Sequence, residues 1–181
     1  MLSRTQVVFL KVLFVIGGSI LGFILCEAWY RSLEARLSID VVRYFQGHQS
    51  ATLGSIPHSI AVRPDHGSGF LAIITPSCSA TASILAIGCL ASLSPRFGRL
   101  RRLIATVVAI TAVAMGNIAR IALSIIVGVH RGISSLVLFH DWVGGVMTFV
   151  YTLGGYVLML VVLLPNRRRS GAPAEVFVAP T

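Results

Sequence analysis

Three side chains in this 181-residue chain have types that can work together. Cys78 follows Pro76-Ser77 at the head of an apolar run, where its thiolate would be a nucleophile. Arg120 lies 18 residues beyond Arg102 inside another apolar run. An arginine keeps its charge and is costly in hydrocarbon, so it is functional by default, with snorkelling to a nearby surface as the plain alternative. His140, in Phe139-His140-Asp141-Trp142, opens the last apolar run and can take a thiol proton and return it to a leaving amine. Nucleophile, proton carrier and fixed cation are the parts of cysteine acyl transfer. Asn117 shares the helix face of Arg120 and can orient it or add a donor. Ser77 is read as the N-cap beside the nucleophile.

The elements that must position these groups are membrane helices. The chain is 55% hydrophobic and only 12% charged, against about 25% in soluble domains. Four apolar segments are predicted to cross a bilayer, at about 7–27, 77–94, 103–128 and 135–164. The fold class is therefore an all-α membrane protein of about four transmembrane helices, forming one domain over 1–165. Its outer loop, 31–69, is expected to hold an interfacial helix, with an apolar face of Leu33, Leu37, Val41, Tyr44 and Phe45, followed by a small hairpin. The hairpin strands are His58 to Arg63 and Phe70 to Ile74, with a turn at Pro64-Asp65-His66-Gly67. The tail, 166–181, is basic and predicted to be disordered. The run from Val7 to Cys26 is too long for a signal peptide h-region and lacks a small-x-small site, so a retained first helix is expected.

A formal charge of +9 would suit nucleic acid, but the basic residues punctuate the apolar runs instead of lining one polar face. Arg96, Arg99, Arg101 and Arg102, with Arg167 to Arg169, predict a cytoplasmic loop and tail, and Arg4 and Lys11 put the N-terminus on the same side. Residues 31–69 and the turn at His130-Arg131 then face outward. The four arginines of that outer loop weaken the bias, and Glu34, Asp40 and Asp65 partly offset them. Cys26, Cys78 and Cys89 form no CxxC and have no histidine at zinc spacing, so neither a metal site nor a disulfide framework is indicated, and no organic cofactor is expected.

Depth then ties the three groups together. At about 1.5 Å per residue from the cytoplasmic ends, Cys78 lies roughly 24 Å up, Arg120 roughly 27 Å, and His140 roughly 36 Å before tilt. All three fall near the outer boundary of a core about 30 Å thick. A first-turn position for Cys78 would favour its thiolate. Arg120 could hold a substrate carboxylate or an oxyanion. The plain readings are packing for Cys26 and Cys89, a Cys26–Cys78 disulfide, interfacial anchoring for His140 beside Trp142, and a solvated turn for His130.

At these residues the chain resembles the exosortase/archaeosortase family of membrane cysteine transpeptidases. The match is Pro76-Ser77-Cys78-Ser79-Ala80 opening one span, Gly116-Asn117-Ile118-Ala119-Arg120-Ile121 inside the next, and Phe139-His140-Asp141-Trp142-Val143-Gly144 opening the last. It covers residues 70–164. The resemblance implies a Cys78, Arg120 and His140 active site at the extracytoplasmic face of the cell membrane. It also implies protein substrates that end in a short motif, a transmembrane helix and a basic tail, which are cut and passed to a surface acceptor. Ala80 stands where a glycine commonly follows Cys-Ser, and the chain has fewer spans than many members.

The expected function is thus that of a membrane cysteine protease-transpeptidase, with both termini inside and membrane lipid as its surround. The main alternative is a non-enzymatic assembly or scaffold protein whose Arg120 pairs with an acidic residue of a partner helix. A small transporter using Arg120 as an anion site is the weaker one.

Overall fold

The computed structural model describes residues 4–47, 50–63, 68–93 and 98–164. The expected turn at 64–67, Arg96 and the basic tail lie outside the described residues.

The first helix, α1, runs unbroken from Arg4 to Gln46. No proline or glycine interrupts residues 23–46, so nothing stops the helix until Gly47, whose φ of +93° closes it. At about 1.5 Å per residue α1 is about 65 Å long, more than twice a hydrocarbon core. This corrects the expectation of a separate interfacial helix, because that segment continues the first span. The face differs as well. Glu34, Ala35, Ser38, Ile39 and Val42 are buried, while Leu37, Tyr44 and Phe45 point outward. The amino-terminal half of α1 turns Phe9, Leu13, Phe14, Ile20, Ile24 and Leu25 outward, as a lipid-facing helix does.

Three short strands follow: β1 (Ala51–Leu53), β2 (Ser59–Val62) and β3 (Phe70–Ile73). They form one antiparallel sheet in the order β1-β2-β3, with Ile60 opposite Leu53 on one side and Ala72 on the other. The predicted hairpin corresponds to β2 and β3, and β1 is an additional strand. Ala51, Ile60 and Val62 pack with Ala35, Ile39 and Val42 of α1 and with Ile121, Ala122 and Ile125, making one apolar cluster. Two arginines of this region serve the backbone: Arg31 Nη1 donates to Ile74 O at 3.2 Å and Arg43 Nε to Ala51 O at 2.7 Å.

A 3-10 turn, Pro76–Cys78, leads to α2 (Thr81–Leu93), and then come α3 (Arg99–Arg131), α4 (Ile133–Leu138), a π-helical stretch (Phe139–Val143) and α5 (Gly144–Leu163). Among the described residues three helical segments are long and apolar enough to cross a membrane: Phe9–Gln46, Arg99–Arg131 and Ile133–Leu163. Helix α2 has 13 residues, about 20 Å, which is shorter than the predicted 77–94 span. It runs antiparallel to α1, with Ala80 N donating to Glu34 at one end and Cys89 paired with Ser19 further down.

Helices α3 and α5 pack closely. The buried face of α3 advances through Ala105, Ala109, Val113 and Asn117, a spacing of four that keeps small side chains on one stripe. With Ala80, Ile87, Ala91, Met159 and Leu163 these apolar residues form a second cluster, between α2, α3 and α5. The start of α3 is tied to the end of α5 by Arg101, whose guanidinium donates to Val162 O and Leu164 O.

Candidate active site

The site lies between the two clusters, where the sheet side meets the helix bundle. Cys78 ends the 3-10 turn and lies outside α2, which begins only at Thr81. This corrects the first-turn reading: no α-helical N-terminus holds the thiol. Its own N–H donates to Thr75 O at 3.0 Å, and the Ser79 N–H to Pro76 O at 3.3 Å. Ser77 is not the cap of a span either. It is exposed within the turn, and its hydroxyl pairs with that of Thr75 at 2.9 Å.

The structure brings Cys78, Arg120 and His140 together. Cys78 Sγ is 3.1 Å from His140 Nε2, and Arg120 Nη2 is 3.3 Å from the same nitrogen. Thr75 Oγ1 lies 3.0 Å from Sγ. Burial pushes the Cys78 thiol up, but hydrogen bonds from His140 and Thr75 and the charge of His140 outweigh it and hold the pKa at about 6, below the ordinary cysteine range. Arg120 is only 6% exposed and projects from the middle of α3. It fits there because Gly144 leaves the space: a Cβ on Gly144 would lie 2.7 Å from Arg120 Nε. His140 is carried by the π-helical stretch, whose wider turn is closed by the Gly144 N–H donating to Phe139 O.

Arginine is a donor only, so Arg120 Nη2 can bond Nε2 only while that nitrogen keeps its lone pair. Once Nε2 carries a proton its N–H turns to the sulfur, and the Arg120 donor becomes free for another acceptor. The same three residues therefore hold two arrangements, one for each position of a single proton.

Asn117 stands behind Cys78. Its Nδ2 donates to Glu34 Oε1 at 2.7 Å and to Cys78 O at 3.0 Å, while its Oδ1 accepts from the Tyr151 hydroxyl at 2.9 Å and faces Arg120 Nη1 at 3.5 Å. It thus supports the Cys78 peptide as well as Arg120. Three residues that the sequence does not single out take part: Thr75, Tyr151 and Glu34. Glu34, expected to be a loop charge, is 1% exposed. Its signal is the small-residue stripe Ala35, Ser38, Ile39, Val42, to which the glutamate belongs and which competes with the more apolar face of Leu33 and Leu37.

A cavity of about 270 Å³ opens beside the centre, walled by Phe70, Ile74, Ile121 and Leu136 together with Cys78 and His140. Its lining is mostly apolar, and it has room for one or two apolar side chains of a bound segment. Cys26, Cys78 and Cys89 are all free thiols, so the Cys26–Cys78 disulfide does not form. His130 is exposed at the end of α3 and pairs with Gln46 at 3.0 Å. Among the described residues no group of three His, Cys, Asp or Glu side chains is placed to hold a metal ion.

No protein-family model matches the chain, and neither a curated protein nor a solved structure does.

Proposed function

We propose that this protein is a membrane cysteine protease-transpeptidase that cuts a C-terminal sorting signal from membrane-anchored proteins and transfers them to a surface acceptor. The observation that carries the reading is the convergence of Cys78 Sγ and Arg120 Nη2 on His140 Nε2 beside an apolar cavity. The resemblance of the three motifs to the exosortase/archaeosortase family gives it its substrate class. In the proposed topology both termini are cytoplasmic, α2 completes a fourth crossing, and the sheet and site lie at the extracytoplasmic face.

The chemistry is a double displacement. The Cys78 thiolate attacks the scissile carbonyl carbon, forming the S–C bond as the carbonyl electrons move to oxygen. The backbone N–H groups of Cys78 and Ser79 are spent inside the turn, so the oxyanion needs a side-chain donor, and Arg120 is the cation beside it. Collapse breaks the C–N bond, and His140 gives its Nε2 proton to the departing amine. An acceptor amine or hydroxyl then attacks the thioester, His140 takes its proton, and the thiolate leaves. The cavity would hold side chains next to the scissile bond.

The test is co-expression with a candidate substrate that ends in a short motif, one apolar helix and several arginines. The reading expects the substrate to lose mass only when Cys78 is present. Unchanged substrate, together with a partner complex that depends on Arg120, would give the scaffold reading its place.

A further inference from the structure

We propose that Glu34 is a positioning residue for the Cys78 centre, acting through the Asn117 amide and the Ala80 peptide and supplying the counter-charge of Arg120; the inference rests on the cysteine-peptidase reading above. Among the described residues Glu34 and Arg120 are the two buried charged side chains, at 1% and 6% exposure. A permanent guanidinium charge in so dry a place needs compensation, and this carboxylate is the one buried to provide it.

The geometry links the two through a single amide. Glu34 Oε1 accepts from Asn117 Nδ2 at 2.7 Å and from Ala80 N at 3.0 Å. Asn117 passes the contact on, with Nδ2 also donating to Cys78 O at 3.0 Å and Oδ1 facing Arg120 Nη1 at 3.5 Å. One carboxylate oxygen therefore fixes the loop on both sides of Ser79, at the Cys78 carbonyl through Asn117 and at the Ala80 N–H directly. The amide cannot turn over without placing its oxygen against the Glu34 carboxylate and the Cys78 carbonyl and its N–H groups against Arg120, and the Tyr151 hydroxyl on α5 supports the same orientation by donating to Oδ1. The other oxygen, Oε2, is buried without a hydrogen bond of its own, while the Ser79 side chain also interacts with this carboxylate.

The sign of the electrostatic effect follows from the groups around Cys78. These are Glu34 from α1, Arg120 from α3, His140 from the π-helical stretch and Tyr151 from α5. With Glu34 ionised the fixed charges cancel. Glu34→Gln keeps an acceptor for Ala80 and Asn117 but leaves one positive charge in excess, which favours thiolate over thiol. The thiol of this variant should titrate at lower pH and attack less well, because a less basic thiolate is a weaker nucleophile.

The experiment uses the full chain in lipid nanodiscs, with Cys26→Ala and Cys89→Ala so that one thiol remains. Iodoacetamide alkylation of Cys78 is followed against pH, in parallel with substrate cleavage. Glu34→Gln is expected to lower the alkylation midpoint by roughly one pH unit and to slow cleavage by about threefold, the loss of nucleophilicity that goes with it. An unchanged midpoint and unchanged cleavage overturn the proposal. Should Glu34→Gln fail to reach the membrane, Tyr151→Phe removes only the hydroxyl that donates to Asn117 Oδ1. It should slow cleavage severalfold with the midpoint held, and full activity would overturn the relay. Alkylation needs no substrate, so the two readings fail separately. A shifted midpoint without any cleavage sustains Glu34's role and sinks the peptidase reading, whereas cleavage indifferent to Glu34 does the reverse.

Discussion

Gly144 lies against the side of the Arg120 guanidinium, so close that a Cβ at this position would be 2.7 Å from Nε and 3.2 Å from Nη2. A Cβ on the neighbouring Gly145 would meet nothing within 4 Å. Gly144→Ala should therefore push Arg120 away from His140, with an overpacking cost of about 1–3 kcal/mol, and cleavage should fall at least tenfold. Gly145→Ala should leave it near wild type. Comparing the two at matched membrane abundance is the check, and equal activities would show that the guanidinium position does not matter.

Cys78 and His140 should be separable by pH. Cys78→Ala should abolish cleavage, because no thioester can form, while Cys26→Ala, Cys89→Ala and His130→Ala stay near wild type. With the thiol held at about 6, alkylation of Cys78 should rise through that pH and be near its plateau at neutrality. His140→Ala removes a hydrogen bond and a charge that both favour the thiolate. Its midpoint should move upward, toward the free-thiol value of about 8.5. A midpoint that stays put would take His140 out of the pair.

Arg120→Lys keeps the positive charge but not the fork of donors. Membrane insertion should persist while cleavage drops by roughly a hundredfold, the scale for losing one oxyanion donor. Full activity in this variant would mean that a point charge suffices.

Topology can be read with reporters active only outside the cytoplasm. A fusion after Arg169 should be silent, and an insertion after Gly47, at the exposed end of α1, should give signal. The reverse pattern would put Cys78 inside and end the sorting reading.

Counting depth along apolar runs puts Cys78, Arg120 and His140 at similar heights, because a membrane helix rises evenly, and in the structure the three side chains meet. It could not say how the runs are broken or joined. Helix α2 is shorter than its apolar run because Pro76 to Cys78 form a turn of their own, and α1 is longer because nothing between Phe23 and Gln46 stops it. The join is what hid Glu34. Placed in a loop it is one acid among several, whereas on a continuous helix it falls on the buried stripe that meets Asn117 and Ala80.

The π-helical stretch sets a constraint on chain length in the last span. Between Leu138 and Gly144, both in ordinary α-helical geometry, it fits one more residue than an α-helix would need. Deleting any one residue from Asp141 to Val143 would barely change the hydropathy of the span and would let it close into a regular helix. The segments on either side would keep their phase, but His140, which sits inside the widened turn, would move around the axis relative to α5 and lose the placement that aims it at Cys78. This helix should accept many substitutions on its lipid face yet no insertion or deletion between His140 and Gly144, so among homologous chains that interval should keep its length even where its letters change.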